Sequence, residues 1–159
     1  MRTLCLVFIA FLWPLFGGTT AYGSSYEGDL IEAAHQQRLS LDPQWLRLGH
    51  YRKSLLGGYR SQVDGMTFFL SPEGKTSPEK ELDATLSGFF APDPADPKAQ
   101  HPQCRFPARY AWLKSKLNFD GALLSEKICP AYEEFRNRVA AKSATLVFSS
   151  YYLNNPASA

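Results

Sequence analysis

Three histidines, two cysteines beyond the first few residues, and two close pairs of carboxylates make up most of the reactive groups this chain offers. His35, His50 and His101 stand alone, without the Glu or Cys spacing of a zinc helix or knuckle. His101 precedes Cys104 by three positions in His-Pro-Gln-Cys, which suggests a metal pair. A disulfide between Cys104 and Cys129 competes with that reading, and a single catalytic cysteine competes with both. Neither cysteine has a base or a glycine-rich elbow beside it in sequence, which favours the bridge. The carboxylate pairs, Glu79 with Glu81 and Glu133 with Glu134, sit where they complement the amide ends of two expected helices, so a glycosidase-type pair is the weaker reading. Trp45 and Trp112 read as core residues rather than as carbohydrate platforms. There is no phosphate-binding glycine loop or Gly-x-Ser-x-Gly elbow. The expected site is therefore without metal or cofactor.

One further stretch concentrates working groups. "SSYYLNNPASA", residues 149–159, brings hydroxyls and amides to a place where strand-like sequence meets a turn. A helix cap by Asn154 or Asn155 ahead of Pro156 explains it equally well.

The compartment decides the cysteine chemistry. Arg2 is followed by an apolar run from Leu4 to Phe16 and by small residues closing on Ala21-Tyr22-Gly23, the three-part layout of a cleaved secretory leader over residues 1–23. The run is too short for a spanning helix and Pro14 interrupts it. Loss of Arg2 lowers the formal net charge of +2 by one, which leaves no basic footprint for nucleic acid. In an oxidising compartment, closing a loop of about 25 residues between Cys104 and Cys129 removes unfolded-state entropy worth roughly 3.5 kcal/mol.

The elements that position these groups follow from pattern. Leu30, Ile31, Ala34 and Leu39 predict a helix over 26–41. Asp42-Pro43 opens a second helix, with Trp45, Leu48 and Leu55 facing the core and Gly57-Gly58 ending it. Asp64-Gly65 predicts a hairpin over 59–70. Ser77-Pro78 starts a helix with Leu82, Leu86 and Phe89 on one face. The four prolines of 91–103 predict a linker after an accessory region, 24–90. Beyond it, Tyr110, Leu113 and Leu117 form a helical stripe with Arg109, Lys114 and Lys116 outside, and Tyr132, Phe135 and Val139 form another. Thr145–Tyr151 reads as a strand, and no internal repeat is visible.

"HPQCRFPARYAWL" together with "FSSYYLNNPASA" resembles the Lnb-type periplasmic domain, a family related to lipoprotein N-acyltransferases and to permuted papain-like thiol enzymes. The likeness covers 101–159, and 24–90 is similar to the segment that precedes this domain in long Gram-negative members. It implies an α+β fold: a helix-rich accessory region with a β-hairpin, then, over 104–159, two helices and the first strand of an incomplete papain-like α/β core. In the family this stretch runs on into Phe-Gly-His-Thr-Phe, whose histidine is the base, with a nucleophilic cysteine further along. Neither residue occurs here, so no catalytic residue carries over. Tyr151, Tyr152, Asn154, Asn155 and Ser158 carry over as the wall of a substrate site. The resemblance implies an exported protein, periplasmic or associated with the outer membrane. Its full-length form is expected to be a thiol acyltransferase or hydrolase acting on lipid or lipoprotein, and this chain an inactive N-terminal portion of it. A complete small binding or structural module, and a papain-like peptidoglycan hydrolase, are the competing expectations. Membrane association is expected through a part that follows this sequence.

Overall fold

The computed structural model describes residues 21–55, 57–96, 99–139, 143 and 145–147. The protein is mostly helical, with one two-stranded antiparallel hairpin, an α+β arrangement with little sheet. The chain divides into two units, Met1–Lys127 and Ile128–Ala159.

Proline writes the helix starts. α2 (Pro43–Leu48), α3 (Pro78–Phe89), α4 (Pro102–Arg105), α5 (Pro107–Leu117) and α6 (Pro130–Val139) all open on proline, whose missing N–H costs nothing in a first turn. Side chains cap three of them. Asp42 accepts from the Gln44 amide at 2.7 Å, Ser77 from the Lys80 amide at 3.2 Å, and His101 Nδ1 from the Gln103 amide at 3.2 Å. α1 (Ala21–Gln36) precedes them, followed by a single 3-10 turn, Leu39–Leu41, so the helix expected over 26–41 breaks at its end where Arg38 turns left-handed.

The core of the first unit joins these helices across the proline-rich segment. Leu30 and Ala34 of α1, Leu82, Leu86 and Phe89 of α3, and Tyr110 and Leu113 of α5 belong to one buried cluster. Phe89 meets Tyr110 edge to face at 5.2 Å, and Trp45 stacks on Trp112 at 5.8 Å while donating its Nε1–H to Pro78 O at 2.9 Å. Residues 91–103, expected as a linker, thus connect helices that share a core.

The hairpin stands elsewhere than expected. α2 ends at Leu48, and the strands are β1 (Tyr51–Lys53) and β2 (Tyr59–Ser61), paired Tyr51 to Ser61, Arg52 to Arg60 and Lys53 to Tyr59. The turn belongs to Gly57 and Gly58, at φ +92° and +72°, where the Asp64-Gly65 pair was expected to serve; Gly65 lies at −73°. Tertiary contacts decide this. Tyr51 donates its hydroxyl to Gly74 O, Ser61 Oγ donates to Gly49 O at 2.7 Å, and the Ser61 amide donates to Lys75 O at 2.8 Å. Leu55, expected in the core, is fully exposed at the hairpin tip.

In the second unit, Tyr132, Phe135 and Val139 of α6 are 37%, 54% and 50% exposed rather than a buried stripe. Residues 145–147 of the expected strand carry no strand pairing among the described residues. Cys104 and Cys129 are joined in a disulfide.

Gly74 leaves no room for a side chain. A Cβ added there would run into Glu81 Oε2 and come within 2.8 Å of Phe69 Cβ. Gly74→Ala is therefore expected to lower stability by about 1–3 kcal/mol in urea unfolding, whereas Gly121→Ala, which meets nothing within 4 Å, leaves the midpoint near that of the parent.

Candidate functional site

Charge is buried at one place in the described structure. Glu81 of α3 and Arg109 of α5 are 0% and 3% exposed at the side chain and pair at 2.5 Å. The sequence reading put Glu81 at a helix end and Arg109 outside its stripe; both face inward. Glu81 lies one residue before Leu82 and four before Thr85, so a helix that buries Leu82, Leu86 and Phe89 buries Glu81 and Thr85 beside them. Arg109 precedes Tyr110 in the same way on α5.

Burying two charges requires that every lone pair and proton be used. The Glu81 carboxylate accepts from the amides of Leu70 at 3.0 Å and Ser71 at 2.9 Å as well as from Arg109. Arg109 donates further to Thr85 Oγ1 and Phe68 O, both at 3.3 Å, and the Thr85 hydroxyl in turn donates to Glu81 O at 2.6 Å. Three rings enclose the guanidinium: Phe106 at 4.2 Å, Phe68 at 4.9 Å and Trp45 at 5.6 Å. Among the described residues no buried side-chain nitrogen or oxygen lacks a hydrogen bond. A carboxylate so engaged holds a loop and a helix together.

The Gln103 side chain, 3% exposed, makes a second buried polar clasp. Its amide donates to Phe89 O and Ser125 O at 3.2 Å, and its oxygen accepts from the Lys127 amide at 2.9 Å. His101 accepts on Nδ1 and, facing a carbonyl, donates from Nε2 to Ala91 O at 2.9 Å. Both ring nitrogens are thereby committed and Cys104 is oxidised, which displaces the metal-pair reading of these two residues. His35 meets Asp83 at 2.7 Å on the surface, and His50 follows the end of α2 with φ +54°.

Against these inward groups stands an outward one. An open groove of about 460 Å³ on the hairpin is lined by Arg52, Lys53, Arg60, Gln62, Asp64 and Lys75 among others. Arg52 donates to Gln62 Oε1 at 2.8 Å, and Lys75 reaches Asp64 at 3.4 Å. The signal that sequence reading missed is the repeated Tyr-Arg of "YRK" and "YRS", which antiparallel pairing turns into two facing arginines. The expected site-wall residues Tyr151, Tyr152, Asn154, Asn155 and Ser158 lie outside the described residues, as do 1–20 of the expected leader.

Removing one charge of the buried pair strands the other. Arg109→Met is expected to cost about 3–5 kcal/mol in urea unfolding, and the double variant Glu81→Gln/Arg109→Met less than the single one, because an uncharged amide still accepts from residues 70 and 71 without needing a cation.

Burial, assisted by the Glu81 charge, raises the Tyr51 hydroxyl above its ordinary 10.0, and burial raises Tyr110 as well. A raised folded-state value means that the fold favours the protonated phenol. Stability is accordingly intact below pH 10 and is lost as pH rises beyond it, by up to about 1.4 kcal/mol per pH unit for Tyr51. Unfolding midpoints measured from pH 8 to 11 are expected to fall above pH 10, less steeply in Tyr51→Phe.

No curated protein and no solved structure matches the chain. A domain of unknown function, DUF7843, matches residues 37–116, half of the 159-residue chain. That span contains the hairpin, both members of the buried pair, Gln103 and the proline-rich segment. With half its length matched, the chain belongs to the DUF7843 family.

Proposed function

We propose that this chain is the scaffold portion of an exported Lnb-type protein whose complete form is a thiol-dependent acyltransferase or hydrolase acting on lipoprotein or lipid. The observation that carries the scaffold half of this reading is the commitment of the buried polar groups to structure: Glu81, Arg109, Gln103 and His101 each spend their hydrogen-bonding capacity on holding elements together. The Cys104–Cys129 disulfide supports export, since such bonds persist in oxidising compartments. Among the described residues no helix is long and apolar enough to cross a membrane. The motifs "HPQCRFPARYAWL" and "FSSYYLNNPASA" support the enzyme half. In this reading residues 145–151 become the first strand of a papain-like core, and Tyr151, Tyr152, Asn154, Asn155 and Ser158 line its pocket. The reactive thiolate and imidazole come from another part of the protein. A thiolate suits the task because, once a base lowers its pKa, it attacks a carbonyl carbon near neutral pH.

A second reading, a disulfide-stapled exported binding module, is favoured by the basic hairpin groove, which is built on the first unit's own core.

Acyl transfer separates the two. With a phospholipid donor and a diacyl lipopeptide bearing a free amine, followed by mass spectrometry, the chain alone is expected to leave both substrates unchanged. The product of the complete reading frame is expected to acylate the amine or hydrolyse the donor, and to lose this on thiol alkylation. Transfer by the chain alone, or full activity after alkylation, overturns the proposal.

A further inference from the structure

The β1–β2 hairpin carries a side-chain pairing that works against its own ladder. Arg52 and Arg60 stand directly opposite each other on the outer face, and like charges in that relation destabilise a ladder. Lys53 and Lys75 line the same groove, and Asp64, the carboxylate that lines it with them, is already engaged by Lys75. Next to this basic surface, Ser54 leads from the groove into the tip, where Leu55 is 106% exposed. The hairpin beneath is held firmly, by Tyr51 on Gly74 O and by Ser61 on Gly49 and Lys75. The strands are three residues long, so the charges and the leucine lie within one short projection.

We propose that this hairpin docks on an anionic lipid surface, with Leu55 entering the boundary between headgroups and acyl chains and Arg52, Lys53, Arg60 and Lys75 taking the phosphates around it. A lipid surface answers both features at once: phosphates relieve the repulsion between Arg52 and Arg60, and hydrocarbon covers the leucine. A soluble phosphate or a nucleic acid answers the charges and leaves Leu55 in water. The attraction is the sum of several weak ionic contacts and one apolar insertion, so it is reversible and falls with ionic strength. This goes beyond the acyltransferase reading and stands without it, because it uses none of the residues assigned to that site.

The test is co-sedimentation of the disulfide-bonded chain with vesicles. Those of phosphatidylglycerol and phosphatidylethanolamine are expected to bind at least roughly tenfold more tightly than vesicles of phosphatidylcholine alone, with the advantage lost in high salt. Arg52→Glu/Arg60→Glu is expected to abolish the preference. Leu55→Asp weakens binding severalfold at unchanged salt dependence. Arg47→Glu, an exposed arginine that does not line the groove, stays within about twofold of the parent. The unfolding midpoint of each variant is measured alongside; if the double glutamate variant unfolds, Arg52→Gln/Arg60→Gln is read in its place. Absence of binding at low salt, equal binding to neutral vesicles, retention of the preference in the arginine variants, or tighter binding to a short DNA duplex than to the anionic vesicles overturns the proposal.

Discussion

The interaction on which the first unit depends is the buried contact of Glu81 with Arg109. Two charges taken out of water repay their desolvation only when every remaining donor and acceptor is met, and that requirement reaches into four parts of the chain. It draws the amides of Leu70 and Ser71 onto α3, brings Arg109 of α5 across the helix pair, recruits Thr85, and packs Trp45 of α2 with Phe68 and Phe106 around the guanidinium. An apolar pair of the same volume holds two helices together; this ionic one also dictates where the 68–71 loop lies. The pair therefore acts as a locator for irregular backbone that hydrophobic packing cannot place.

That loop in turn sets the hairpin. Gly74, three residues past Ser71, is pressed against both Glu81 and Phe69, and its carbonyl receives the Tyr51 hydroxyl. Lys75 O receives the Ser61 amide. The register of β1 on β2, and so the opposition of Arg52 and Arg60, is anchored at the Tyr51–Ser61 end by the same backbone that Glu81 holds. A buried carboxylate and an exposed basic groove are in this way two ends of one chain of contacts. The surface with room for a ligand sits on a rigid base, which suits a site that must present several cations together.

The helices were legible because their signals are local. The prolines opening α2 and α3, the caps at Asp42 and Ser77, and the stripe Leu82, Leu86, Phe89 each act within a turn or two, and the folded chain uses them as expected; the helix that Pro102 opens, inside the segment expected as a linker, was not foreseen. The hairpin was misplaced because two short turn signals compete, Gly57-Gly58 and Asp64-Gly65, and neighbours remote in sequence choose between them. Arg109 was assigned to the surface because a charge beside an apolar stripe reads as solvated until a partner is known; its partner is 28 residues away on another helix. The stripe of α6 was legible as a pattern, but pattern alone does not supply the surface that covers it, and Tyr132, Phe135 and Val139 stand exposed.

What the amino-acid sequence determined by itself is therefore the helix starts at Pro43 and Pro78 and the apolar face of α3, since caps and stripes are short-range, and it favoured the pairing of Cys104 with Cys129 that the fold contains. Only the tertiary structure decided that Glu81 and Arg109 share one buried cage, that His101 and Gln103 are spent on backbone, and that two arginines face each other on the hairpin. The physical reason is range. A capping bond is satisfied within three residues, whereas a buried charge or a strand register is satisfied only by groups that the completed fold brings to it.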